Sequence, residues 1–202
     1  MKSELTLEIT DLSLMRGFRR VIDGFNTKLP AATGFWLWGA NGVGKTTLLR
    51  AMAGYLRPAM GKILLSVQGE VLSPLDENYR NQVLFLPARA PVKGALTVNE
   101  QWQLWQKIFN SDSEIPVTLN LQNHLHQRIG KLSAGQQRRL SLGLLSLTRR
   151  HVWILDEAFN HLDTDGEAWL LGAIKNHMMN GGIVIVAAPH AATDSAFLQR
   201  QL

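Results

Sequence analysis

The sequence predicts an α/β fold with a mostly parallel sheet, and three observations carry that expectation. Short apolar runs alternate along the chain with longer stretches of helical spacing. One run, residues 34–38, feeds straight into a glycine-rich loop that opens a helix. Another, residues 152–155, ends abruptly on two carboxylates, Asp156 and Glu157. A length of 202 residues suits a single domain, or a core with a small insertion.

The elements follow in order. Residues 5–12 alternate apolar and polar side chains, as a half-buried strand does. Residues 21–29 read as a second strand, stopped by Pro30. Residues 34–38 form a third. Residues 46–55 read as a helix that ends near Pro58, and residues 63–67 and 83–86 as further strands. The spacing over 97–109 predicts a helix, 110–116 a polar loop, and 119–128 a second helix of the same inserted region. Leucines over 136–148 predict a helix, and 152–155 a buried strand. Residues 165–178 predict another helix, punctuated by Gly181 and Gly182 before an apolar strand at 183–187. No internal repeat or low-complexity segment interrupts the series.

Composition narrows the class. Hydrophobic residues are 46% and charged residues 18%, which describes a globular chain. The absence of cysteine excludes disulfides and thiolate metal sites. The first ten residues carry Glu4 and Glu8 and no long apolar run, unlike a signal peptide, and no apolar stretch is long enough to cross a bilayer. A net charge of +5 is compatible with an anionic ligand or surface. Arg138–Arg139 and Arg149–Arg150 flank an apolar stretch, without the aromatic–basic interleaving that grips single strands. A nucleic-acid partner is therefore not expected.

Gly39, Ala40, Asn41, Gly42, Val43, Gly44, Lys45 and Thr46 fit the phosphate-binding loop pattern throughout. Glycines let the backbone turn tightly and aim successive amides at an anion. The helix that follows adds its positive N-terminal end. Lys45 would reach the β- and γ-phosphates of ATP, and Thr46 would offer a hydroxyl to Mg²⁺. A glycine-rich turn alone would be only a turn; the lysine, the threonine and both flanks argue otherwise. At the acidic strand end, Asp156 would hold Mg²⁺ through water and Glu157 would polarise or deprotonate the attacking water. Solvated acids at a strand boundary are the rival reading, and the phosphate loop weakens it.

Leu132-Ser133-Ala134-Gly135-Gln136 precedes the leucine-rich helix. Ser133 would cap that helix, and a hydroxyl, a glycine and a helix N-terminus together make a second anion site. This stretch resembles the signature motif of ABC-type ATPases, with Ala134 for the first glycine. Asn160-His161-Leu162-Asp163 resembles the family's D-loop, with Asp163 matching its aspartate, and His190 resembles the switch histidine that touches the γ-phosphate. The motif order is right, and the resemblance covers nearly the whole chain. It implies a P-loop NTPase fold of ABC type: a mostly parallel sheet core, an antiparallel β part and a small helical subdomain. The implied domain is 1–202, with 1–87 and 133–202 as nucleotide-binding core and 88–132 as helical subdomain. It further implies an ATPase that pairs head to tail as a homodimer or pseudo-dimer. Each ATP would then lie between residues 39–47 of one subunit, including Thr47, and residues 133–136 of the other. Integral membrane transporter subunits would be its partners, at the cytoplasmic face of a bacterial inner membrane.

Two features depart from that pattern. Arg16 occupies the approximate place of an aromatic residue that stacks on adenine. A guanidinium can stack on a base; Phe18 is a nearby alternative, and a solvent-facing Arg16 fits equally. The glutamine expected after residues 84–87 is missing, and Arg89, the nearest equivalent, cannot ligate a cation. Thr46, Asp156 and water would keep Mg²⁺, but coupling and turnover would suffer. These departures, with Arg16-Gly17, residues 93–100 and Gln137-Arg138-Arg139, resemble the CcmA subfamily of ATPases for haem export in cytochrome c maturation. The alternatives are an ATP-dependent dimerisation switch with little turnover, or the ATPase of another small exporter.

Among the remaining residues, Trp36, Trp38 and Trp153 read as core. Trp102 and Trp105 share a helix face, and the reading leans to an interface with the membrane partner. His124 and His126, two apart, would point away from each other into solvent.

Overall fold

The computed structural model describes residues 5–202, so the first four residues of the opening stretch lie outside the described residues. The chain divides into two compact units. One holds the residues up to Phe85 together with Arg150–Glu157 and Asn176–Leu202; the other holds Leu86–Arg149 and Ala158–Lys175.

The first unit carries both sheets. In chain order it runs β1 (Thr6–Arg16), β2 (Arg19–Pro30), β3 (Gly34–Trp38), α1 (Lys45–Met52), β4 (Met60–Val67) and β5 (Glu70–Leu72). Then come α2 (Tyr79–Gln82), β6 (Val83–Leu86), β7 (Val152–Asp156), β8 (Ile183–Ala188) and β9 (Phe197–Gln201). The antiparallel sheet has the order β2-β1-β4-β5. In it, Leu7 pairs with Leu29 on one side and Leu65 on the other. Leu7 and Ile9 point inward while Glu8 and Thr10 stay wetter, as the alternation predicts. The alternation ends at Leu12, yet β1 continues to Arg16. Asp11 stands in the left-handed region with φ 48 and shifts the register, which resets the pleat so that Leu12 and Leu14 are buried.

The second sheet has the order β6-β7-β8-β3-β9. Its β7–β8, β8–β3 and β3–β9 pairs are parallel. Every residue of β7 and β8 is buried, so these strands read as unbroken apolar runs. The polar edge strand β9 and the short β5 and α2 lack such a run and escaped the sequence reading. β8 lies between β3 and β7, and this places the loops that leave β3 and β7 on either side of one strand end.

The second unit is helical: α3 (Val98–Phe109), α4 (Ala134–Leu142), α5 (Leu144–Leu147) and most of α6 (Thr164–Met179). Thr97 and Glu100 close a capping box on α3. The helix expected over 119–128 is replaced by single 3₁₀ turns at Val117–Leu119 and Gln122–His124. Asn120, left-handed at φ 53, ends the first turn, and no run of four-residue bonds can start across it. The helix expected over 136–148 is broken at Gly143 into α4 and α5. Trp102 and Trp105 are also corrected. They are 3% and 6% exposed and pack edge to face at 6.3 Å, with the Trp102 indole donating to the Ser113 carbonyl, so they belong to the unit's core. Among the described residues no helix is long and apolar enough to cross a membrane.

Candidate functional site: a phosphate loop and a capped-helix cleft

The loop between β3 and α1 is built from backbone. Gly42 and Gly44 take φ 82 and 118, which a side chain would resist, and the chain can therefore fold its amides inward ahead of Lys45. Lys45 is buried, and its ammonium donates to the carbonyls of Gly39 at 2.6 Å and Ala40 at 3.0 Å. One residue on, the Thr46 hydroxyl donates to Asp156 Oδ2 at 2.9 Å. Asp156 is the last residue of β7 and is 1% exposed. The fold has thus brought together a hydroxyl and a carboxylate 110 positions apart in the sequence.

Glu157 follows at φ 47, a left-handed conformation that costs a non-glycine residue about 1 kcal/mol. Its amide donates to the Ala187 carbonyl of β8 at 3.0 Å, which holds it there. The Glu157 side chain lines a cavity of about 160 Å³ with Arg16, Val21, Asn41, Gly42, Gly44, Lys45, Thr46 and Thr47. Positive-φ glycines, an ammonium and the Thr46–Asp156 oxygen pair suit a polyphosphate with a hard divalent cation. Arg16 also lines an adjoining cavity of about 550 Å³, with Arg50 and Tyr55. Phe18 is fully exposed and lines neither. His190 lies two residues beyond β8 with an exposed side chain, outside the lining of the phosphate cavity; its carbonyl accepts from the Trp36 indole at 2.8 Å.

The second unit holds a different arrangement, a cleft beside a capped helix. Ser133 caps α4: its hydroxyl accepts from the Gln136 amide at 3.2 Å, while Gln136 Oε1 accepts from the Ser133 amide at 2.9 Å. Ser133, Gly135, Gln136, Arg139, Asn120, His161 and Asp163 line a cleft of about 380 Å³. Gly135 is required by close approach, since a Cβ there would stand 2.8 Å from the His161 carbonyl. Asp163 accepts from the Gly166 amide at 3.0 Å and pairs with Arg139. The Gly166 amide first, and Arg139 after it, hold the Asp163 carboxyl below its usual range.

Sequence reasoning passed over three residues of this unit. Arg139 is one. Arg138 is 3% exposed and donates to the carbonyls of Ala158, Pro87 and Ala88 at 3.1, 2.8 and 3.3 Å, beside the exposed Arg89. His124 is the third. It is not solvated as expected, but half-buried, with its ring nitrogens 3.0 Å from Gln136 Nε2 and 2.8 Å from Gln127 Oε1. An arginine pair inside a capped helix was a visible signal; nothing in the local pattern tied His124 to Gln136.

Known proteins resemble the chain as follows. The ABC transporter family profile matches residues 22–160. A protein named cytochrome c biogenesis ATP-binding export protein CcmA, from Ruegeria sp. (strain TM1040), is 35% identical over 90% of this chain and 83% of its own length. The protein of the same name from Haemophilus influenzae is 32% identical over 96% of this chain and 93% of its own. Among solved structures, an ABC transporter ATP-binding protein from Pyrococcus furiosus superposes with a TM-score of 0.81 at 24% identity, covering 98% of this chain and 97% of that one, a likeness of fold.

Proposed function

Because the chain belongs to the ABC transporter family and, within it, to the cytochrome c biogenesis ATP-binding export proteins, we propose that it powers a membrane complex for haem export in cytochrome c maturation. It is the ATP-binding, ATP-hydrolysing subunit of that export system. The observation that supports this reading most is the Thr46–Asp156 pair at the mouth of a lysine-bearing phosphate loop.

Two copies pair head to tail, and each ATP is shared between one copy's residues 39–47 and the other's Ser133, Gly135 and Gln136. The loop amides and Lys45 bind the β- and γ-phosphates, Thr47 extends that contact, and Arg16 stacks on the base. Thr46 and Asp156 would hold Mg²⁺, which would neutralise charge on the phosphate oxygens. Glu157 accepts the proton of the attacking water, and Asp163 and the exposed His190 complete the closed site. The chain lies at the cytoplasmic face of the membrane and docks on integral membrane subunits through the helical subdomain 88–132.

The test is to purify the chain with its membrane subunits from detergent-solubilised membranes and measure ATP turnover. Lys45→Ala and Glu157→Gln should each nearly abolish it. A chain that stays alone, or variants that turn over like the wild type, would refute the reading. The alternative of a slow dimerisation switch is favoured by residues 87–91, which hold no glutamine; wild-type protein that dimerises with ATP but does not turn over would establish it.

A further inference from the structure

We propose that His124 is the positioning residue of the second half-site, and that its neutral imidazole sets the side-chain orientation of Gln136 and, through it, the Ser133 cap that meets the partner copy's nucleotide. The proposal rests on the composite-site reading above.

The hydrogen bonds around His124 permit one proton arrangement. At one end, the Ser133 amide can only donate, so the Gln136 atom facing it at 2.9 Å must be the carbonyl oxygen Oε1. Gln136 Nε2 therefore faces His124 Nε2 at 3.0 Å and donates to it. A ring nitrogen that accepts carries no proton, so the proton of His124 is on Nδ1. Nδ1–H donates to Gln127 Oε1 at 2.8 Å, and Gln127 Nε2 donates to the Lys131 carbonyl at 3.3 Å. The chain of bonds is thus fixed at one end by a backbone donor and at the other by a backbone acceptor, and each member points the same way.

Protonating His124 breaks this order at one place. Nδ1–H still donates to Gln127, but Nε2 becomes a donor aimed at the Gln136 amide group. Turning the Gln136 amide over would relieve that clash and create another against the Ser133 amide. Gln136 must then leave either His124 or the Ser133 amide, and in the second case Ser133 is held only by the bond that its hydroxyl accepts from the Gln136 backbone amide. The charged and titratable groups around this chain are His126, Arg128 and Lys131 on its own segment, Arg139 on α4, and His161 and Asp163 across the cleft. Arg139 and Asp163 answer each other, and Lys131 takes part through its carbonyl.

The experiment uses the full chain carrying Glu157→Gln, to hold ATP, and measures ATP-driven dimerisation by sedimentation. Adding His124→Phe, which keeps the ring and removes the acceptor, should weaken the dimer about tenfold for two half-sites that each lose one neutral hydrogen bond. Adding His124→Gln instead, which places an acceptor oxygen near the position of Nε2, should restore it. The parent should also lose more dimer on acidification than the His124→Gln form, because only the parent has an accepting ring nitrogen to lose. The other histidines are the same in both forms, so the difference isolates His124. Dimers unaffected by His124→Phe, or identical pH profiles with histidine and glutamine, would overturn the inference. If the Glu157→Gln parent itself stays monomeric with ATP, or if Ser133→Ala leaves dimerisation intact, the composite-site reading has failed instead. Should His124→Phe not fold, the histidine–glutamine pair of profiles still decides.

Discussion

The phosphate loop and the capped-helix cleft are built by opposite means. The phosphate loop is made of backbone: left-handed glycines and a lysine that closes on its own loop's carbonyls. The capped-helix cleft is made of side chains that hold one another: Ser133 and Gln136 in a box, Gln136 on His124, Arg139 on Asp163. A backbone site needs few residue types and tolerates little change in them. A side-chain site spreads its geometry over several weak bonds, each of which can be tuned. Substitutions should therefore be catastrophic in the first and graded in the second.

The sharpest break is expected at Glu157 and Lys45. Removing a catalytic carboxylate typically costs 10²–10⁴ in rate, so Glu157→Gln should lower ATP turnover of the assembled complex about 10³-fold while nucleotide still binds. Lys45→Ala should lose both, because the ammonium supplies charge for the phosphates. Equilibrium nucleotide binding beside steady-state turnover separates the two. If Lys45→Ala bound ATP normally, the loop would not be the phosphate site.

Gly135→Ala tests the point at which the second half behaves like the first. Its Cβ would stand 2.8 Å from the His161 carbonyl, a backbone atom that cannot swing aside. Overpacking of this kind costs about 1–3 kcal/mol. The expected result is an approximately hundredfold loss of turnover with nucleotide binding by the phosphate loop unchanged. An alanine variant as active as the wild type would make the side-chain network, and not this approach, the governing feature.

A smaller effect is expected for Thr46→Val. It keeps the volume and removes the hydroxyl bonded to Asp156, so that the carboxylate alone, with water, would hold Mg²⁺. Affinity for ATP with Mg²⁺ should fall about tenfold, as for one charge-assisted hydrogen bond of about 1.5–3 kcal/mol, while affinity for ATP without the metal should change little. Equal losses with and without Mg²⁺ would separate the hydroxyl from the metal.

This contrast also explains what could be read from the sequence. Backbone devices leave fixed spacings, so the loop at 39–46 and the acidic end of β7 were legible as residues. Buried parallel strands leave unbroken apolar runs, so β3, β6, β7 and β8 were legible too. The bulge at Asp11, the polar edge strand β9 and the αL residue Asn120 that breaks the expected second helix leave no periodic trace. Trp102 and Trp105 were misread because a shared helix face does not say what covers it. His124 was missed because its partner Gln136 lies twelve positions away, across turns that periodicity does not describe.

The mildest prediction asks whether acid acts on the two halves by the same route. In the first unit, His177 stacks flat on Trp153 at 3.9 Å, with Nε2 3.1 Å from the His151 carbonyl. Burial holds the His177 pKa below its usual value, against the upward pull of that carbonyl. The folded state therefore takes up this proton less readily than the unfolded chain. Folding stability from this residue is present above the unfolded pKa of about 6.5 and is lost as pH falls below it, because the unfolded state then binds more protons. His177→Phe keeps the stacking face and cannot be protonated. It should give up the bond to His151 and melt lower near pH 8, yet lose less of its melting temperature on going to about pH 5. The acid sensitivity of ATP-driven dimerisation should be unchanged in this variant, since His124 lies in the other unit. If His177→Phe flattened both profiles together, acid would act on dimerisation through folding, and the side-chain half of the site would have no pH response of its own.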